Sequence, residues 1–386
     1  MPHFEKALKF FREGARFSLL AALLAVFPSL FSCSKPESDD YSSPFVVSGI
    51  ILPEELSCEQ GAAIELKFLG KSGPVEGDKV HLAGSEGSFS FEIDKVESDS
   101  FTFTLPQEVM SGNYDFCIIR GKNTRKIGVT RLFVTSADQI DPDGASVYGK
   151  VACRGEGISG VVVSDGVNTC VTDKNGIYRL NSAKKHGYVA ISVPSGYDPL
   201  TNGVLPVIHR QLQKGKTEAE RVDFPLYPAP GQDNITMLIL GDIHLACRNS
   251  DRKQFSHAVD DLNEYISSHS TDRLYGLTLG DMTWDLYWIV NDYGYTEYLA
   301  DISQVKNLMI YHTIGNHDYS MYYKGDFATV AEYKRLIAPT YYSFNIGGVH
   351  YVVLDDMICT NSVEEKDSNG NPCYKREYYA DIDSEQ

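Results

Sequence analysis

The sequence predicts a multidomain chain in which two all-β modules precede an α/β unit. Over residues 44–140, apolar side chains alternate with polar ones between clusters of Gly, Ser, Asp and Asn, the period of half-buried strands. Residues 146–227 continue with short strands and tight turns, and from Asn234 continuous apolar strands begin to alternate with helical patterns. The length of 386 residues suits two or three domains. With 42% hydrophobic, 11% aromatic and 23% charged residues the composition is that of globular proteins, which excludes wholesale disorder. The net charge is −17, so a general phosphate-backbone binder is excluded and no nucleic-acid partner is expected.

The first 32 residues read as a signal peptide. Lys6, Lys9, Arg12 and Arg16 form a basic start, and the apolar run Phe17 to Leu30, interrupted by Pro28, is too short to span a bilayer. It ends in Leu30-Phe31-Ser32-Cys33, which resembles the lipobox of bacterial lipoproteins. That resemblance implies lipidation at Cys33, membrane attachment through the lipid, and a place in the bacterial cell envelope (outer membrane, periplasmic or surface face). Residues 33–43 then serve as a polar tether. Seven cysteines follow Cys33. Cys153 with Cys170 and Cys359 with Cys373 are plausible local pairs, although spacing does not fix connectivity.

In residues 44–140 the alternating sets are Ile64, Leu66, Phe68; Phe89, Phe91, Ile93; Phe101, Phe103, Leu105; and Tyr114, Phe116, Ile118. They predict an Ig-like β-sandwich with one face buried. Strands at Val147–Val151, Gly160–Asp165 and Thr172–Tyr178, with a tight turn at Asn175-Gly176, resemble the small transthyretin-like modules that precede many secreted enzymes. Asp165 and Asp173 read as turn residues rather than calcium ligands. Pro228-Ala229-Pro230-Gly231 reads as a stiff linker.

Beyond it, apolar strands are expected at Ile235–Leu240, Leu274–Leu279 and Leu308–Ile314. A helix over 251–268 would place Phe255, Val259, Leu262 and Ile266 on one face, and another is expected over 326–337. Tyr341–Ile346 and Val349–Leu354 form a hairpin about Gly347-Gly348. Each of the three apolar strands is followed by a polar motif: Gly241-Asp242-Ile243-His244, Gly280-Asp281-Met282-Thr283-Trp284-Asp285 and Gly315-Asn316-His317-Asp318. Open α/β sheets gather ligands at the carboxyl ends of their strands, so three such ends can share one crevice. Asp-x-His on a strand end points both side chains to one side, and a glycine before each acid allows close backbone approach. Singly each motif is weak; the ordered set is not.

This set resembles the calcineurin-like metallophosphoesterases over residues 234–358. The resemblance implies an α/β sandwich holding two divalent metal ions, Mn, Fe or Zn by the chemistry of mixed O and N ligands. Asp242 and His244 would ligate the first ion, Asp281 would bridge, Asn316 would ligate the second, and His317 would contact the phosphate and assist the leaving group. The implied reaction is hydrolysis of a phosphomonoester or phosphodiester by metal-activated hydroxide. Two departures stand out. Many members carry Asp or Asn three residues after the bridging acid, where this chain has Trp284, so the carboxylate orienting His317 would either come from Asp285 by a shifted backbone or be absent. The family also supplies three further histidines downstream, whereas only His350 follows His317 here, inside an apolar strand. The α/β domain, 234–386, is therefore expected to be incomplete at its C-terminus and its metals under-occupied. The competing expectation is a catalytically inactive lipoprotein acting through its β modules on glycans or proteins. His312 reads as a strand residue with polar contacts, and Cys247 as a buried inert thiol.

Overall fold

In the computed structural model, which describes residues 45–386, every alternating set of the first module meets in one core. Strands Glu55–Glu59, Asn123–Thr135, Gly112–Arg120, Lys79–Gly84 and Gly87–Glu92 form one sheet in that order, and Ala63–Lys67, Ser100–Thr104 and Lys95–Val96 form a second. Leu66, Phe101 and Phe103 from the smaller sheet pack with Val80, Leu82, Phe116 and Ile118 from the larger. The alternation is visible residue by residue: in Ala63–Lys67 only Ile64 and Leu66 are buried. The signal segment, tether and Cys33 lie outside the described residues.

Residues 146–228 contribute a six-stranded sheet built around Val147–Cys153 and a four-stranded sheet ordered Thr169–Val171, Val162–Ser164, Tyr188–Ile191 and His209–Gln211. The tight turn expected at Asn175-Gly176 forms, with Gly176 N bonded to Asp173 O at 2.9 Å and Asp173 Oδ1 accepting from the amides of Asn175 and Ile177, and the strand it leads into is Ile177–Leu180. Asp165 Oδ1 likewise accepts from Val167 and Asn168. Both carboxylates are thus occupied in turns.

The segment at Pro228–Gly231 is a packed corner rather than a spacer. Ala229 is buried and donates its amide to Gly196 O at 2.8 Å. The Gln232 side chain accepts from Gly196 N at 2.6 Å and donates to Tyr275 Oη at 2.9 Å. Across this corner Val163, Val189, Ile191 and Val193 share one core with Tyr275, Tyr311, Phe344 and Ile346. The backbones are joined as well, by Asn345 N to Val193 O at 2.9 Å and Ile310 N to Val204 O at 2.8 Å.

The α/β part is a parallel three-stranded sheet in the order Ile235–Leu240, Arg273–Thr278, Ile310–Tyr311. The third strand is shorter than expected. Past Tyr311 the chain leaves the ladder, and Thr313 N bonds the Thr278 hydroxyl at 3.0 Å. Helix Asp251–Ser268 buries Val259 and Ile266, with Phe255 and Leu262 packed alongside, so the expected stripe faces the core. A second helix, Tyr295–Ile302, packs against it. The helix expected over 326–337 is two short ones, Asp326–Thr329 and Ala331–Leu336, broken at Val330 (φ −105°, ψ 6°). The hairpin Tyr342–Ile346/Val349–Val353 forms, and Tyr311, Phe344 and Tyr351 stack with ring planes 3–4° apart. Ile239, Leu279, Val349, Val352 and Leu354 stay exposed. Two ribbons follow, Met357–Cys359 with Tyr378–Ala380 and Glu364–Lys366 with Pro372–Tyr374. Among the described residues no helix is long and apolar enough to cross a membrane.

The seven described cysteines, Cys153, Cys170, Cys359 and Cys373 among them, are free thiols, so the two plausible bridges are not formed here. Cys247 is exposed rather than buried, because it lies in the loop before helix Asp251–Ser268 and has φ 52°.

Candidate metal centre

The three motifs sit where the parallel strands end, but a pleat does not aim their side chains. Strand Ile235–Leu240 stops before Asp242. Asp242 and His244 then take left-handed backbone conformations (φ 56° and 50°), as does Asp281 (φ 49°) after the second strand. Non-glycine residues enter this region at a cost of about 1–3 kcal/mol each. Two backbone bonds lock the pair of loops together, His244 N to Asp281 O at 2.7 Å and Leu245 N to Met282 O at 3.1 Å.

His244 consequently stands between two carboxylates: its Nδ1 is 3.2 Å from Asp242 Oδ1 and its Nε2 is 3.3 Å from Asp281 Oδ2. The other Asp281 oxygen accepts from His317 N at 2.8 Å. One donor atom from each of His244, Asp281 and His317 lies within 4.8 Å of the others. A tetrahedral ion with bonds of about 2.1 Å needs donors about 3.4 Å apart, so His244 and Asp281 are already at ligand spacing. This donor set fits one divalent ion. Asp242 is adjacent and largely exposed. The Asn316 side chain is not in the cluster: its Nδ2 is directed to Tyr378 Oη at 3.4 Å.

The glycines of the second and third motifs make this closeness possible. A Cβ on Gly280 (φ 86°) would lie 2.8 Å from Gly315 Cα, and one on Gly315 would lie 2.2 Å from Asp281 N. Gly241 carries no such demand; its Cβ would meet only the tip of Leu279 at 3.8 Å.

Behind the cluster the shifted acid reaches its target. Trp284 is extended (φ −135°, ψ 103°) and starts the turn Asp285–Tyr287, which takes up the extra residue and brings Asp285 Oδ1 to 3.0 Å from His317 Nδ1. Trp284 fills the vacated place as a wall: its ring is 5.0 Å from that of His244 and 5.1 Å from that of His317, and the Arg248 guanidinium lies over it at 4.4 Å. Asp318, fully buried, ties the second and third motifs together by accepting from Thr283 N at 3.1 Å and Gly315 N at 3.0 Å. Burial pushes its carboxyl up to about 7 against the pull of these amides.

Sequence reasoning missed Arg376. Its NH1 is 2.8 Å from His317 Nδ1, its NH2 donates to Asn316 O, and its Nε is 3.3 Å from Asp285 Oδ2. Nothing in the local sequence marks it, since only the ribbon fold returns it to the third motif. His312 is buried, with Nε2 3.0 Å from Tyr298 Oη and Nδ1 2.9 Å from Ile310 O; burial lowers it to about 4. His350 is exposed on its strand and pairs with Asn345 Oδ1 at 2.8 Å.

Residues 145–229 match the family model described as N terminal of Calcineurin-like phosphoesterase. This match, over less than a quarter of the chain, supports a calcineurin-like phosphoesterase family at that coarse level. No curated protein matches the chain. Among solved structures, a DUF4784 family protein from Bacteroides caccae is 9% identical over 37% of each chain, with a TM-score of 0.17. Purple acid phosphatase PPD1 from yellow lupin (Lupinus luteus) seeds is 12% identical over 78% of this chain and 65% of its own, with a TM-score of 0.23. The chain thus spans 37% and 65% of those two lengths, and likenesses this low have no bearing on its fold or activity.

Proposed function

We propose that the chain is a metal-dependent phosphoesterase acting on phosphomonoesters or phosphodiesters. The observation that carries this reading is the meeting of His244, Asp281 and His317 from three separate strand ends. Their imidazole nitrogens and carboxylate oxygen suit Mn, Fe or Zn better than Mg or Ca. Asp242, His244 and Asp281 would hold a first ion once Asp242, which faces Nδ1 of His244, swung round to the Nε2 side that Asp281 faces, and Asn316 would join Asp281 at a second once its amide turned from Tyr378. A bound divalent ion offsets charge on the ester and brings the pKa of water down toward 7.

The remaining tasks fall to the chain's own groups. Asp281 is fixed by the His317 amide on one oxygen, which leaves the other for a cation. Asp285, fully buried, holds the His317 ring beside the cluster. Trp284 keeps bulk water from one side of both imidazoles. Arg248 and Arg376 set positive charge around the site in a chain of net charge −17, a local field that draws an anionic ester inward.

Purified full-length protein supplied with manganese should retain metal and hydrolyse a chromogenic phosphodiester or monoester. Asp281→Asn should lose the metal and His317→Ala should lower turnover by about 10²-fold or more. Undiminished hydrolysis in both variants refutes the assignment, and a chain that retains no metal leaves the β modules, acting on glycans or proteins, as the working parts.

We further propose export and lipid anchoring at Cys33 in a bacterial cell envelope, supported by the basic, apolar and Leu30-Phe31-Ser32-Cys33 segments in sequence. In cells fed a labelled fatty acid, label should enter the wild-type chain and be absent from Cys33→Ala; equal labelling rejects the anchor.

A further inference from the structure

We infer that a cavity where the two β modules and the α/β part meet is a binding site for an anionic sugar, a ring that carries a carboxylate or phosphate beside its hydroxyl groups. It shares no residue with the metal centre and does not rest on the phosphoesterase reading. The cavity holds about 390 Å³ and opens between strand Glu55–Glu59, strand His209–Gln211 and helix Ala331–Leu336. Three arginines line it, Arg131, Arg210 and Arg335, against one acid, Glu55. That balance is the reverse of the whole chain's, whose net charge is −17.

The excess of positive charge is built into the fold. Glu55 and Arg131 are register partners on neighbouring parallel strands. Glu55 Oε2 lies 3.2 Å from Arg131 NH2, and Oε1 accepts from Arg210 NH2 at 2.8 Å. One carboxylate therefore serves two guanidinium groups, whose side chains are only 11% and 21% exposed. Arg335 is more exposed and lies 3.5 Å from Glu332. A half-buried charge without a counter-ion is costly, and a bound anion would offset that cost. Burial draws Arg210 below its ordinary value, although Glu55 pulls the other way. Arg210 is also held in place, with its guanidinium 3.6 Å over the Phe133 ring. Its NH2 carries its hydrogen bonds; among the described residues its Nε and NH1 have none, which leaves planar donors for a carboxylate or phosphate.

The rest of the lining suits a hydroxylated ring. Gln211 and Gln213 donate their Nε2 groups to Lys334 O at 2.8 Å and to Gln211 O at 3.3 Å. Their Oε1 atoms have no hydrogen bond among the described residues, so both are left as acceptors for hydroxyl groups. Asn202, exposed at the edge of the cavity, adds an amide that can donate and accept. Leu205, Pro206 and Ile337 are buried and give the cavity an apolar floor for the C–H face of the ring. An apolar lining with a few placed polar groups is the usual make-up of a small-molecule site.

The test is calorimetric titration of the metal-free full chain with glucuronate, glucose 6-phosphate, glucose and inorganic phosphate in turn. At least one of the two anionic sugars should bind saturably, and about tenfold or more tighter than either glucose or inorganic phosphate. Glucuronate as the tighter ligand marks a carboxylate sugar, and glucose 6-phosphate a phosphate sugar. Arg210→Met should weaken that binding by about tenfold or more. Glu55→Gln removes the carboxylate that competes for both arginines and should tighten it by about threefold or more, a gain that a purely structural ion pair would not give. No saturable binding of either anionic sugar, equal affinity for glucose or for inorganic phosphate, or an affinity unchanged in both variants overturns the proposal. If a variant does not fold, the wild-type titrations decide together with Asn202→Ala, an exposed position where the loss should be about threefold. No metal and no hydrolysis enter the measurement, so a failed hydrolysis assay leaves its result intact.

Discussion

A single methyl group distinguishes the motif glycines. At Gly315 it would press against Asp281 N at 2.2 Å and Oδ1 at 2.3 Å, backbone and carboxylate that have nowhere to retreat. At Gly241 it would touch only a leucine tip at 3.8 Å. Gly315→Ala is therefore expected to cost about 1–3 kcal/mol, as overpacking does, and to weaken manganese retention. Gly241→Ala should stay within about 0.5 kcal/mol of wild type, in the range of changes that disturb no special feature. Urea denaturation and metal titration of the two variants check this, and equal behaviour would reject it. The same scale explains why the Asp-x-His spacing works for a reason other than strand alternation. Left-handed turns at Asp242 and His244 bring the two side chains to 3.2 Å, and although Asp and His enter that region more readily than most residues, their presence does not mark which of them will.

Secondary elements were legible in the sequence in proportion to how much of their pattern is local. Helix Asp251–Ser268 has its stripe written within its own residues, and Val259 and Ile266 are buried as the stripe requires. The hairpin about Gly347-Gly348 and the alternating strands of the first module are equally self-contained. Elements whose ends depend on distant partners were not. Strand Ile310–Tyr311 is cut short by a bond from Thr313 to Thr278. The break at Val330 accompanies a bond from Ser320 N to Thr329 O at 3.0 Å. In the candidate site the order of the three motifs was readable because each follows its own strand. Arg376 was not, since its contacts with His317 and Asn316 span about sixty positions of chain and no local pattern encodes a ribbon folding back that far.

Phe45–Gln386 forms one compact unit, and its most consequential packing runs between segments that the sequence separates with a proline-rich stretch. Val193 and Ile191 of the earlier module lie in the same core as Tyr311 and Phe344, and the two backbones exchange hydrogen bonds. The cooperative unit should follow the core. Amides in Tyr188–Ile191 and Tyr342–Ile346 are expected to exchange with deuterium through the same opening event. The fluorescence of Trp284 and Trp288, the only tryptophans of the chain, should change in that same transition. Separate opening of the earlier module would disprove a common unit.

Because Val193 and Phe344 meet in a ladder contact, the preceding β module and the α/β sheet share one seam, in which Tyr275, Tyr311 and Ile346 also lie. A foreign domain spliced in its place would have to present a surface complementary to Tyr311, Phe344 and Ile346. A gain of side-chain volume on one bank of the seam therefore calls for a loss on the opposite bank.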